Sequence, residues 1–431
     1  MEKLDRRSVL RGGAIGIVGI AGGVFVGREL ADNGATSSAA AGSDASASGP
    51  ATTGSTVGFR GAHQAGVDTP GQQHASFTSF DVVQRDRAAV EGLLATWTSI
   101  AETLAGGGVV SDDTGEATGI GPASLTVTFG FAATFFDDLC APAAARPAGL
   151  VDLPLFDGDA LEDAWSGGDL LVQVCADDLT VVSHAVRQLR RVGLGTVVLR
   201  WQQNGFLPHV SGQTPRNLFG QVDGTANPAS GSSNLDELVW VADGGAKWMS
   251  GGTYLGLRRI RMSLTMWDRM GLAVQEASVG RSRTTGAPLS GGDEFTPMDL
   301  EKKDSSGALV IPADAHARVA KVAGPGMLRR GYSFDNGPRR VDGTATVPST
   351  PMDHSSHGSM DHSQMAAMMD DHDAGLMFVA FVRDPTVQFV AVQQALSASD
   401  ALGHFLSYTS ASLWAVPGGR ESGSIAAGIY E

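Results

Sequence analysis

Apolar and polar positions alternate in short runs that are separated by longer stripes at helical spacing. Gln73-His74-Ala75-Ser76-Phe77 opens as a strand, and Asp81 to Leu104 reads as a helix with Val90, Leu93, Leu94, Trp97 and Ile100 on one stripe. Leu125 to Phe131 alternates apolar with small or polar groups, as a half-buried strand does. Asp169 to Cys175 is a further strand, followed by Asp177-Asp178, whose acids suit the positive end of a helix running to about Arg191. Gly195 to Trp201 returns as a strand.

The order strand, acidic turn, helix, strand then recurs. Residues 168–189 lie over 375–396 at a constant offset of 207, with Gly168/Gly375, Val172/Val379, Asp177/Asp384 and Leu189/Leu396 identical. An apolar strand, Ser412 to Val416, closes the second copy. The pattern predicts an α+β chain of two similar halves, each an antiparallel sheet with helices on one face. The boundary is expected in Ala229 to Asn234, giving halves 73–231 and 232–431.

Three stretches lack this pattern. Asp5-Arg6-Arg7-Ser8-Val9-Leu10-Arg11 is a twin-arginine n-region ahead of a Gly-rich apolar run, Gly12 to Gly27, too short for a membrane span. It predicts export of an already folded chain by the twin-arginine translocation machinery, to the periplasm or the outside. Residues to 47 are expected to be signal and disordered tether and 48–72 a linker, because Ala, Ser, Gly and Thr bury too little surface to offset ordering entropy. Ser349 to Met377 holds four of the ten His and six of the thirteen Met, and reads as a loop insertion. Within it Met352, His354, His357, Met360 and His362 offer thioether and imidazole ligands suited to copper, or a polar loop that holds metal only loosely.

Charge and motif content narrow the chemistry. A net charge of −15 disfavours nucleic acid, and the 57 glycines imply many loops. Cys140 and Cys175 form no CxxC, so they are either one disulfide or two buried thiols. GxSxG, SxxK, GxGxxG, P-loop and HExxH patterns are absent. What remains is Gly220-Gln221-Val222-Asp223-Gly224, a glycine-bounded loop aiming one carboxylate, together with His316 in Ala315-His316-Ala317-Arg318-Val319 and the pair Arg329-Arg330.

In this order, these three motifs resemble the dye-decolorising peroxidases, most of all the exported branch linked to iron uptake and also called deferrochelatases. Gly252 to Arg261, Val279 to Ser282, Gly286 to Leu289 and Gly375 to Phe378 extend the resemblance from about Gln73 to Pro417. The resemblance implies two ferredoxin-like halves with haem b in the second. It makes His316 the proximal iron ligand, Asp400 its hydrogen-bond partner, Phe378 a cofactor contact, and Asp223 and Arg329 the distal catalytic groups. Some relatives carry a distal Asn two positions after the arginine, where this chain has Gly331. Arg330 is left as either structural or a propionate contact.

The chemistry agrees with those roles. Hydrogen peroxide must lose a proton to bind iron and regain one to leave as water, which a carboxylate can carry. A guanidinium beside it favours the ionised form and stabilises charge on the breaking O–O bond. The expected reductants are bulky phenols or dyes, with Trp201, Trp267, Tyr332 and Tyr408 among the candidates for relaying electrons. Iron release from intact porphyrin, or copper buffering through the insertion, are the alternatives. The sequence does not decide between a monomer and a homo-oligomer.

Overall fold

The computed structural model describes residues 54–208, 210, 212–243, 245–338 and 372–431. Its strands are β1 (His74–Val82), β2 (Thr126–Phe131), β3 (Leu170–Ala176), β4 (Val197–Phe206), β5 (Thr253–Met262), β6 (Leu328–Pro338), β7 (His372–Val382) and β8 (Leu406–Val416). The helices are α1 (Arg87–Ala105), α2 (Leu179–Gly193), α3 (Ser233–Val239), α4 (Leu264–Asp268), α5 (Leu272–Val279), α6 (His316–Ala323) and α7 (Ala391–Ser399), the last continuing a π-turn at Thr386–Val390.

Each half is a four-stranded antiparallel sheet in ferredoxin-like order, β4-β1-β3-β2 and β8-β5-β7-β6. The edges meet at Phe131↔Ala415 and Phe206↔Ser333, one registered pair at each seam, closing one eight-stranded barrel. The repeat is real at the level of structure: adding 207 to α2 gives 386–400, which matches the π-turn and α7 at 386–399 to within one residue.

Alternation sorts each strand's side chains. Phe77, Leu255, Leu257, Tyr332, Phe334, Met377, Val379, Phe381 and Trp414 form one core inside the barrel. The outer faces carry Phe80, Val82, Val127, Phe129 and Val172 against α1 and α2. The basic run in β5 is structural. Arg258 is buried, pairs with Asp159 and stacks on Tyr408, with its guanidinium carbon 4.3 Å from the ring centroid. Arg259 pairs with Asp373 at 2.6 Å. Removing one partner of a buried pair of this kind costs about 3–5 kcal/mol, because the other charge stays behind without compensation.

Three expectations need correction. The first helix begins at Arg87, not Asp81, because β1 continues to Val82 in register with Val197, and Asp86 caps α1 by accepting from the Ala89 amide at 2.9 Å. Residues 54–72 are not a bare linker. Phe59 and Val67 are buried, and the Gln64 amide bonds Phe129 and Pro417 at 3.1 Å each, stitching this segment onto the sheet. The expected insertion is shorter at its end, since His372–Met377 belongs to β7, where His372 meets Asp335 at 2.7 Å. Cys140 and Cys175 are free, buried thiols, and burial pushes the Cys140 thiol up to about 11.

Candidate active site

The loop carrying Asp223 is held from several sides. Gly220 (φ 74°) and Gly224 (φ 124°) adopt conformations that side chains resist, which lets the chain fold back and bond Asp223 N to Pro215 O at 2.9 Å. Arg216 bonds the carbonyls of Gly220 and Thr284 at 2.8 Å each and also that of Arg283, while Thr225 bonds Glu294 at 2.9 Å. Asn227 clamps the backbone of Arg329 from both sides, at 3.0 Å to its amide and 2.7 Å to its carbonyl. Loop and strand β6 are thereby locked together. Asn217 Nδ2 reaches Asp223 Oδ2 at 3.4 Å, and that oxygen lies 3.6 Å from where a Cβ on Gly331 would stand.

Arg329 and Gly331 share the outer face of β6. Gly331 is opposite Phe378 and Ser333 is opposite Leu376 on β7, so those two apolar side chains border the same space. Arg330 alternates inward with Leu328 and Tyr332. There its charge acts on Cys175 and Tyr332, and its Nη1 is buried without a hydrogen bond. The open alternative for Arg330 thus closes on an interior position, facing away from the space that Arg329 borders. Among the described residues, Asp223 and Arg329 form no ion pair; both charges act on His316.

His316 is the first residue of α6. Its seat depends on Gly280, which ends α5 in a left-handed conformation (φ 86°) and whose absent Cβ would stand 3.2 Å from Ala315 Cβ. His316 Nδ1 meets Asp400 Oδ2 at 2.6 Å, while Asp400 Oδ1 accepts from the Leu402 amide at 2.9 Å. Asp400 is almost fully buried, and both its oxygens are used. Burial works to lower the His316 pKa, but the charge and hydrogen bond of Asp400 more than offset it and the net shift is upward. With Nδ1 engaged, Nε2 is the nitrogen left to ligate.

Around these groups Phe219, Met262, Trp267, Leu376, Leu402 and Phe405 form an apolar cluster with Phe378 packed against it. An imidazole with a fixed partner, an apolar wall, and a carboxylate and a guanidinium acting on the same imidazole fit an iron porphyrin. Met352, His354, His357, Met360 and His362 lie outside the described residues. Trp201, Trp267 and Tyr332 are buried and Tyr408 is half-buried, so none of the four lies open on the surface. A groove of about 680 Å³ in the N-terminal half, between α2 and β4, contains none of the site residues. Sequence reasoning did not single out Asn227, Arg216, Glu294 or Gly280. Asn227 follows the Gly220–Gly224 loop by three residues, but no local signal ties it to a strand about a hundred residues on.

Two ferredoxin-like sheets closed into a barrel, with His316 held by the buried Asp400 and with Asp223 and Arg329 brought beside strand β6, define a haem-peroxidase type of architecture. The family models for the N-terminal and C-terminal parts of Dyp-type peroxidases match residues 64–207 and 214–421. The chain belongs to the Dyp-type peroxidase family. It is 35% identical over 382 residues to a dye-decolorizing peroxidase of Thermobifida fusca, covering 84% of this chain and 82% of that one. It is 32% identical over 362 residues to a deferrochelatase of Escherichia coli K12, covering 79% and 78%. DtpA of Streptomyces lividans, solved as an oxyferrous complex, superposes with a TM-score of 0.77 at 37% identity, over 88% of this chain and 99% of that one. The C-terminal family match includes the Asp223 loop.

Asp400→Ala is expected to weaken haem uptake about 10–100-fold at neutral pH, since the ring loses its orienting partner. Protonated His316 cannot ligate, so uptake falls as pH drops through its raised pKa; removing Asp400 moves that acid limb to lower pH. Haemin titrations of the apoprotein across pH, followed at the Soret band, check both effects. Unchanged affinity and an unmoved acid limb would remove Asp400 from this role.

Proposed function

We propose that the chain is an exported haem peroxidase using hydrogen peroxide to oxidise bulky phenolic or dye-like substrates, with Asp223 and Arg329 as its distal groups and His316 as its iron ligand. The observation that carries the reading is the two-sided site: His316 is held by Asp400 at 2.6 Å, and the charges of Asp223 and Arg329 both act on its ring. When bound, haem supplies the redox chemistry, taking two oxidising equivalents from peroxide and passing them on one at a time. His316 Nε2 would hold it, with Phe378 and Leu376 as apolar contacts.

The protein's own groups handle the proton. An Asp223 carboxylate oxygen takes the proton from the near oxygen of peroxide and returns it to the far oxygen, which leaves as water. Asn217 steadies that carboxylate, and the loop bonds from Arg216 and Asn227 keep it at one distance from β6. Arg329, always charged, offsets negative charge as the O–O bond lengthens. Asp400 keeps the Nδ1 proton of His316 in place and the ring in one orientation.

Asp223→Asn is expected to slow the reaction with peroxide by roughly 10²–10⁴-fold and Arg329→Leu by roughly 10²–10³-fold, both with haem retained. His316→Ala loses or loosens haem. Stopped-flow spectra of the Soret band after mixing with peroxide give the rates. Full haem content and an unchanged spectrum in His316→Ala would overturn the ligand assignment.

Iron release from haem with the porphyrin left intact is a second reading, favoured by the relatives named deferrochelatases. It uses the same pocket. Anaerobic incubation of the protein with haem, then assay for free protoporphyrin, tests it; porphyrin appearing no faster than in buffer excludes it. The Arg6-Arg7 segment supports export by the twin-arginine machinery. The His/Met run supports copper binding separate from the haem site. Calorimetric titration with copper of the full chain against a deletion of Ser349 to Met369 decides that point, and equal affinity in both would sink it.

A further inference from the structure

One cluster of ligating side chains lies in the other half of the protein and has no part in the peroxidase chemistry. His184, in the middle of α2, is only 6% exposed. Its Nε2 lies 3.3 Å from Asp113 Oδ2 and its Nδ1 lies 3.2 Å from Glu116 Oε1, both acids coming from the loop after α1. One donor atom from each of the three residues falls within 4.8 Å of the other two. His184 Nδ1 and both carboxylate oxygens of Glu116 are buried and make no hydrogen bond. Buried polar atoms are nearly always hydrogen-bonded, and here three that lack a hydrogen bond lie together.

The cluster is not needed to dock the loop. Gln188 Nε2 already bonds Thr114 Oγ1 at 2.6 Å and Arg191 Nη2 bonds Ser111 O at 2.9 Å, tying the same loop to the same helix. His184 Nδ1 and Glu116 Oε1 approach to 3.2 Å without the alignment of a hydrogen bond. Arg187, more than half exposed, approaches Glu116 Oε2 only to 3.6 Å.

We propose that His184, Glu116 and Asp113 bind a divalent cation of the zinc class. One imidazole nitrogen and two carboxylates are a donor set for zinc, whereas calcium and magnesium take oxygen alone. Water completes the coordination. The two carboxylates carry two negative charges, which a doubly charged ion balances. The ion pins the loop after α1 to α2 and leaves the haem pocket untouched.

The test uses the full-length, haem-loaded protein, stripped with chelator and titrated calorimetrically with zinc chloride. The wild type is expected to bind one equivalent more than either Asp113→Asn or Glu116→Gln, or to bind that equivalent at least tenfold more tightly. Other zinc sites, such as the His/Met run, are common to all three proteins and cancel. Equal stoichiometry and affinity across the three overturns the proposal. Independently of any variant, crystals of the wild type grown with zinc should show an anomalous peak at the zinc edge beside His184, and its absence overturns the site.

Discussion

Strand β6 is paired on one side to β7 over most of its length, and that pairing fixes which of its side chains face outward. Two adjacent arginines must then go to opposite sides. Arg329 turns out to the face bordered by Phe378 and Leu376, and Arg330 turns into the barrel with Tyr332. A slip of one residue in the register would exchange them and bury the distal guanidinium. Asn227 makes this pairing matter to the loop. By bonding both backbone groups of Arg329, it references the position of Asp223 to the strand. The distal groups are therefore placed by backbone hydrogen bonds, which tolerate little displacement.

The proximal side is built differently. His316 stands at the start of a helix, in a position set by the close approach of Gly280 to Ala315, and its partner Asp400 comes from the end of α7. Asp400 also accepts the Leu402 amide and so begins the next helical turn. Its carboxylate could not withdraw from the histidine without also giving up that turn. This double use explains how an acid can remain buried beside a single imidazole: each oxygen has a charge-assisted or backbone partner.

Much of this was legible from residue patterns. The alternation at Leu125 to Phe131 and Asp169 to Cys175, the capped helix after Asp178, and the offset of 207 all describe elements that depend on local sequence. Closure of the barrel was not legible, since it rests on one registered pair at each seam. The start of α1 was misplaced because Asp81 and Asp86 are both plausible caps, and the choice belongs to the pairing of Val82 with Val197. The packing of residues 54–72 was hidden by their small, polar composition, whose bonds go to β2 and to the chain's far end. At the site, the histidine, the aspartates and the arginine could be named through motif resemblance. The clamps from Asn227 and Arg216 join segments distant in sequence and carry no local signature.

The separation of Asp223 from Arg329 changes the physical picture of the distal pocket. A tight ion pair would hold the carboxylate ionised, but it would also occupy both groups and oppose proton uptake by the acid. Here the carboxylate has one long amide contact at 3.4 Å, and the space beside it is kept clear by Gly331. An asparagine at that position would fill this space with a polar side chain. With glycine there, no side chain from that position comes between Asp223 and strand β6. The guanidinium of Arg329 stands on the outer face of the same strand, bonded to the loop only through its backbone and Asn227. That placement follows from the strand's alternation and from the clamp that fixes the loop to it.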